Sequence, residues 1–258
     1  MDDFLTKIRR LNWVLTESTT GNLSYEDLSR ILSELTEANF YIIDNRGKVL
    51  GVAYEKENDS SIIPDDEAGS EKVPFEHNQM FLEVLQTQSN LRGDNIAVLL
   101  GEDYPMKDKY HTIIPCVCGN VRQGTILLTR YERPFSDEEI VLCEFGATVV
   151  GLEIQRKLQL EKAQERNQKM SCEMALDTLS FSEKDALSKI MKSFDEDEAI
   201  LVASKVATQY KLTNSVIVNA LKKLESAGIL ETKSLGMKGT YIRILNPFLR
   251  ETVKNAEV

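Results

Sequence analysis

The stretch that most limits how this chain can fold runs from Ser136 to about Leu179. Ser136 followed by Asp137, Glu138 and Glu139 has the form of a helix start: a serine cap, a glutamate three residues on, and acidic charge against the positive end of the helix dipole. Apolar residues keep helical spacing from Ile140 through Leu160, after which Glu161–Lys169 turns almost wholly polar without a Pro or Gly. A helix continuing to Leu179 is on the order of 60 Å long at about 1.5 Å per residue. Its polar stretch reads as a solvated connector between two domains, and its apolar upper half as a surface packed on a sheet or on a second subunit, which favours a homodimer. With 258 residues, 42% of them hydrophobic, the chain has enough apolar material for two cores.

Ahead of that helix the pattern alternates between two periods. Phe4, Ile8, Leu11 and Leu15 recur at helical spacing, and Ser24 with Asp27 opens a second helix carrying Leu28, Ile31, Leu32 and Leu35. Phe40–Asp44 and Val49–Tyr54, around Asn45-Arg46-Gly47-Lys48, predict a β-hairpin. Between Glu55 and Gly93 the pattern weakens, with a polar cluster at Asp65–Glu71 and a short helix near Glu76–Gln86. Ile96–Leu100, Thr112–Cys118 and Thr125–Arg130 have strand composition, the last two joined across Gly119–Gly124. The expected fold class is α+β, an antiparallel sheet with helices on one face.

Behind the long helix the spacing changes again. Ser182 and Asp185 predict the start of a helix bearing Ala186, Leu187, Ile190, Met191 and Phe194, ended by Asp195–Glu198. A second helix is expected over about Ala203–Tyr210, and Lys211-Leu212-Thr213 makes a tight corner with Leu212 as its apolar plug. Thr213 or Asn214 caps a third helix, about Asn214–Ala227, which buries Val216, Ile217, Ala220, Leu221 and Leu224 and stops at Gly228. Ser215, Asn219 and Lys222 then share one outward stripe, with Asn214 and Val218 beside them. A helix that reads DNA needs short polar groups near its N-terminus, an Asn or Gln able to bridge adenine, and a small apolar group for a thymine methyl. Ser215, Asn219 and Val218 match those roles. Glu231–Leu235 and Thr240–Leu245, turned at Gly236-Met237-Lys238-Gly239, complete a hairpin wing whose Lys238 suits a phosphate or minor-groove contact.

Charge supports this reading once its distribution is considered. Ala199–Arg250 holds eight cations, Lys205, Lys211, Lys222, Lys223, Lys233, Lys238, Arg243 and Arg250, against Glu225 and Glu231, a balance of +6. That leaves −16 on the rest of a chain whose total is −10. An acidic body with one basic end suits a protein that touches DNA at that end alone. RNA is disfavoured, since no aromatic platform for stacked bases is visible.

Other classes find little support. Cys116, Cys118, Cys143 and Cys172 are too few and scattered for a disulfide framework, and with only His77 and His111 available no metal site is expected. No nucleophile–base pair or paired carboxylate motif emerges, so no catalytic residues and no enzyme are predicted. The absence of an apolar run of about 18 residues and of a signal peptide predicts a cytoplasmic protein.

Six segments then carry a resemblance. Ala203-Ser-Lys-Val-Ala, Thr213-Asn-Ser-Val-Ile-Val-Asn-Ala-Leu-Lys-Lys-Leu-Glu-Ser-Ala-Gly and Ser234-Leu-Gly-Met-Lys-Gly-Thr-Tyr-Ile closely resemble the CodY family of nutritional repressors of low-GC Gram-positive bacteria. At the front, Lys7-Ile-Arg-Arg-Leu-Asn, Arg46-Gly-Lys-Val-Leu-Gly and Glu144-Phe-Gly-Ala-Thr-Val-Val-Gly look like segments of that family's GAF domain.

The resemblance implies a GAF-like sensor and dimerisation domain over 1–155, a connecting helix over 156–178 and a winged helix-turn-helix over 179–258. It implies a dimer on an AT-rich palindromic operator, double-stranded, with GTP and branched-chain amino acids as effectors and no tightly bound cofactor. Expected DNA contacts are Ala203, Ser204, Lys205, Thr213, Asn214, Ser215, Val218, Asn219, Lys222 and Lys238, and Ser215 is a candidate phosphorylation site. Expected effector residues are Tyr41, Ser60, Ser61 and Pro74. After Glu57-Asn58-Asp59 the family places an arginine for the amino acid's carboxylate and then a methionine. Here Ser60 and Ser61 stand instead, and serine lacks arginine's bidentate charged fork. Val73 and His77 likewise replace expected aromatics, and Asn214 replaces a basic residue. This chain therefore has a second reading, a winged-helix regulator that has lost amino-acid sensing and answers to another effector or a protein partner. For GTP there is no Walker A ending, and Gly119–Thr125 reads as a hairpin turn.

Overall fold

A computed structural model describes residues 2–17, 24–55, 72–194 and 196–255, with the side chains of 2, 3 and 14–17 left aside. The chain divides into two compact units, Met1–Leu158 and Gln159–Val258.

In the first unit, helices α1 (Asp2–Glu17) and α2 (Tyr25–Thr36) precede strands β1 (Asn39–Asp44) and β2 (Val49–Ala53). Then come α3 (Phe75–Glu83), β3 (Gln88–Leu91), α4 (Asp94–Leu100), β4 (Tyr110–Cys118), β5 (Val121–Arg130) and the long α5 (Asp137–Asp177). The strands form one antiparallel sheet in the order β2-β1-β5-β4-β3.

Side chains alternate across the sheet, and both of its faces are buried. Phe40, Ile42, Ile114, Cys116, Ile126 and Leu128 face α1, α2 and the first half of α5, meeting Leu28, Leu32, Cys143, Ala147 and Val150. Tyr41, Ile43, Ile113 and Leu127 point the other way, toward Val73, Phe81, Ile96, Leu100 and Tyr104 of α3, α4 and their flanks. Helices thus cover both faces, where the sequence predicted one. The run Ile96–Leu100, expected as a strand, is helix α4, with Ile96, Ala97 and Leu100 inward at helical spacing behind Asp94 in the first turn. A short apolar run fits either period, and here the 3.6-residue one holds.

Three arginines fix the corners of this unit. The Arg122 guanidinium donates to the carbonyls of Val84 (2.6 Å), Phe81 (3.0 Å) and Gly124 (2.6 Å), tying the end of α3 to β5. Arg130 meets Glu139 through two bonds of 3.0 and 2.8 Å, and Arg133 adds two more of 2.9 Å to the same carboxylate. Glu139 also closes the capping box predicted at Ser136, accepting from the Ser136 amide at 2.8 Å and donating its own amide to Ser136 Oγ at 3.3 Å. The β4–β5 hairpin turns at Gly119 and Asn120, both left-handed at φ 58° and 62°, the pair of conformations a two-residue type I′ turn needs.

The second unit contains the C-terminal part of α5 and then α6 (Phe181–Met191), β6 (Glu198–Leu201), α7 (Ala203–Tyr210) and α8 (Asn214–Ser226). Strands β7 (Leu230–Ser234) and β8 (Thr240–Ile244) and helix α9 (Leu249–Asn255) follow. Its sheet has the order β6-β8-β7. The core gathers Leu176, Leu179, Leu187, Ile190, Val206, Ile217, Leu221, Leu224, Ile242 and Leu249. Cutting a buried leucine such as Leu224 to alanine costs about 2–5 kcal/mol in such a core.

The first helix of this module begins earlier than Ser182 and Asp185 predicted. Ser180 is its cap: Ser180 Oγ accepts the Glu183 amide at 3.4 Å, and Glu183 accepts the Ser180 amide at 2.7 Å. Its α-helix closes at Met191, before the predicted stop at Asp195–Glu198. Glu198 instead opens β6, which with α9 had no counterpart in the sequence reading.

Candidate nucleic-acid interface

Helix α8 buries Ile217, Ala220, Leu221 and Leu224, the i, i+3, i+4, i+7 set that defines one helical face. Val216, placed with these by the sequence, is half-buried at the edge of the core. The opposite face is open, and Asn214, Ser215, Val218, Asn219 and Lys222 are all exposed on it. Thr213 occupies the cap position in extended backbone, its side chain bonded to Ser215 Oγ at 3.1 Å rather than to the helix amides. The first turn of α8 therefore keeps its amide donors available in the direction of Ser215.

Helix α7 leads into α8 through Lys211, left-handed at φ 55°, with the Leu212 amide donating to the Ala207 carbonyl at 2.9 Å. Leu212 packs against the core as the plug of the corner. In the first turn of α7, Ser204 and Lys205 are exposed and Ala203 half-buried. At the far end of α8, Glu225 accepts from the amide and hydroxyl of Thr232, both at 2.8 Å, and so fixes β7 to the helix.

The wing is a closed turn. Leu235 donates to the Gly239 carbonyl at 2.8 Å, and a single 3-10 turn spans Gly236–Lys238. Gly239 sits at φ 111°, and a Cβ there would lie 2.6 Å from the Leu201 carbonyl oxygen, so the return strand presses on β6 where only glycine fits. Lys233 and Lys238 are exposed, and Met237 at the tip is fully exposed.

Of the eight cations counted in the sequence, three are engaged within the fold. Lys223 bonds Glu183 Oε2 at 2.7 Å, and Arg243 lies 3.8 Å from Glu198. Arg250 donates to the carbonyls of Met191 (3.2 Å) and Phe194 (2.9 Å), capping the end of α6. Lys205, Lys211, Lys222, Lys233 and Lys238 remain exposed. The outward face of the wing sheet balances itself: Glu198 and Glu231 flank Arg243 across the strands, and Glu198 also holds the Tyr241 hydroxyl, pushing its pKa up. Lys205, Lys211 and Lys222 thus stand open on α7, α8 and the corner between them, and Lys233 and Lys238 on the wing.

On the sensor side, Tyr41 is wholly buried, its ring edge-on to Tyr54 at 5.9 Å, and Pro74 caps α3 half-buried. Ser60 and Ser61 lie outside the described residues. His111 is buried beside Tyr104, Nε2 to hydroxyl 3.0 Å, with Nδ1 on the Lys109 carbonyl at 2.9 Å. Burial lowers the His111 pKa to about 4 against opposing backbone bonds. Cys116 and Cys143 are buried free thiols whose pKa burial raises, Cys116 to about 12. Among the described residues no three His, Cys, Asp or Glu side chains gather as a metal site, and no helix is long and apolar enough to cross a membrane.

Two family models cover the chain, the CodY GAF-like domain over residues 3–178 and the CodY helix-turn-helix domain over 197–256. The chain belongs to the CodY family. It is 41% identical over 256 residues to the global transcriptional regulator CodY of Clostridium beijerinckii, covering 98% of this chain and 99% of the relative. It is equally identical over 254 residues to that of a Thermoanaerobacter species, with 98% of both covered. A solved structure, the cofactor-binding GAF domain of the nutrient sensor CodY from Clostridium difficile, is 35% identical, with a TM-score of 0.48 over 58% of this chain and 96% of that one. The sequence resemblance stands, and with it the architecture: a CodY GAF-like sensing domain, a long helix and a CodY helix-turn-helix that binds DNA. Membership places the chain among transcriptional regulators rather than in an enzyme class.

What the sequence missed at this surface is Met237. Its signal was there, an apolar residue set between two glycines in an otherwise polar turn.

Proposed function

We propose that this CodY regulator reads an AT-rich, palindromic duplex as a homodimer in the cytoplasm. The first turn of α7 (Ala203, Ser204, Lys205) and the N-terminal half of α8 (Thr213, Asn214, Ser215, Val218, Asn219, Lys222) meet the major groove, and Lys238 meets the backbone beside it. The observation that carries this reading is the open polar stripe of α8, bounded by lysines, on a module where Lys223, Arg243 and Arg250 are engaged within the fold. Asn219 presents the donor–acceptor pair that matches adenine, and Val218, 39% exposed, matches a thymine methyl. The dimer finds support in α5, where Val141, Phe145 and Leu152 stay exposed in the sensor unit.

In this proposal residues 1–155 sense, 156–178 connect and 179–258 bind DNA. The effectors are GTP and branched-chain amino acids, the latter on the face of the sheet holding Tyr41 and Pro74. With Ser60 and Ser61 in place of arginine and methionine, the amino acid's carboxylate needs another cation, and its binding is weaker than a bidentate arginine would give. No catalytic step is assigned to the chain.

A DNA titration at several salt concentrations, with and without isoleucine and GTP, tests this. Specific binding that is lost in Asn219→Ala and strengthened by isoleucine and GTP is expected. Specific binding indifferent to isoleucine would retire the amino-acid effector and favour the reading in which sensing has been lost. Absence of specific binding would overturn the assigned contacts.

A further inference from the structure

The wing tip holds an apolar side chain out into water at a cost in free energy. Met237 is fully exposed. The turn carrying it is closed by hydrogen bonds from Leu235 to Gly239 (2.8 Å), from Lys238 to Leu235 (3.3 Å) and from Gly239 to Gly236 (3.2 Å). Gly239 lies close against the Leu201 carbonyl, which seats the base of the turn on β6. The exposed lysines 233 and 238 stand on either side of it in sequence, while the outward sheet face behind carries the balanced Glu198, Arg243 and Glu231 set. An apolar point with cations near it in sequence, on a hydrogen-bonded hairpin, complements a groove whose rims are anionic and whose floor is the edge of a base stack.

We propose that Met237 is a wedge that enters the minor groove next to the segment read by α8 and partly unstacks one base step there. This rests on the DNA-binding reading above and extends it, because the wing then selects for deformability rather than for base edges. A narrow A·T-rich minor groove concentrates negative potential that draws Lys233 and Lys238, and a TA step unstacks more readily than a G·C-rich one. Apolar side chains inserted at such steps kink a duplex toward the major groove, which brings the flanks closer to the rest of a basic surface. Met suits the role, being unbranched and adaptable to an irregular gap.

The test uses the full-length protein and duplexes that it selects from a randomised pool, with 2-aminopurine placed at one flanking adenine at a time. The unaltered protein should raise fluorescence at a single flanking step. Met237→Ala should abolish that rise and weaken binding about tenfold on TA-containing flanks, with the salt dependence unchanged. On G·C-rich flanks the loss should be smaller, and Met237→Leu should keep both signals. A persistent rise in Met237→Ala, or equal loss on both kinds of flank, overturns the wedge. If Asn219→Ala still abolishes specificity in that case, the base-reading helix stands without it. Failure of the unaltered protein to select any duplex removes both.

Discussion

Lys223 reaches from α8 to Glu183 on α6, 2.7 Å from Nζ to Oε2, and the same ammonium donates to the Thr178 carbonyl at 3.1 Å. Its neighbour Lys222 points to solvent. Two adjacent lysines on α8 therefore have different surroundings, one securing the helix and the other open to solvent.

Lys222→Ala should weaken DNA binding on every sequence and lower the salt slope by about one. Lys223→Met should leave that slope intact and lower the stability of the module by about 1 kcal/mol, read from the denaturant midpoint. The Lys223 bond, followed by that from Ser180, also lowers the Glu183 pKa.

Asn219→Ala should reduce discrimination between the selected duplex and a scrambled one by about 1–3 kcal/mol while leaving non-specific affinity nearly unchanged. Paired titrations at one salt concentration measure the difference. Equal loss on both duplexes would place Asn219 on a phosphate.

Ser215→Asp sets a negative charge at the exposed first turn of α8, and should weaken operator binding at least tenfold. A phosphoserine there carries about −1.5 to −2 charges and should act more strongly. Affinity that is unchanged in Ser215→Asp would move Ser215 out of the interface.

The reading helix was legible because its apolar residues keep one period from Ile217 to Leu224 and a glycine ends it. Elements that lack a period were not. Gln88–Leu91 forms β3 with mostly polar residues, and the four-residue β6 is too short for alternation to show. Ile96–Leu100 misled for the opposite reason, since five apolar residues in a row satisfy either structure. Charge counting overstated the DNA face where the partner is remote: Glu183 is forty residues from Lys223, and Arg250 donates its hydrogen bonds to peptide carbonyls, which leave no trace in residue identity.

Acid should act on the sensor unit in two steps. His111 is held neutral by burial, its pKa lowered to about 4, so the stability this contributes is present above about 6.5 and is lost as pH falls toward 4. Burial pushes the Glu139 carboxyl up, but the bonds from Arg130 and Arg133 outweigh that and bring it down to about 2. Its contribution is present above about 4.5 and is lost as pH falls toward 2. Arg130→Met, which leaves the buried carboxylate to Arg133 and the Ser136 amide alone, should cost about 1.5–3 kcal/mol at neutral pH, measured by denaturation monitored within the sensor unit.

Arg250 lies on α9, whose Leu249 and Val253 are core residues, and its guanidinium closes the carbonyl end of α6. Trimming the last ten residues is therefore an amputation of the interior. It would empty two core positions and reopen the end of a helix some sixty residues upstream, so the smallest DNA-reading fragment must keep its tail.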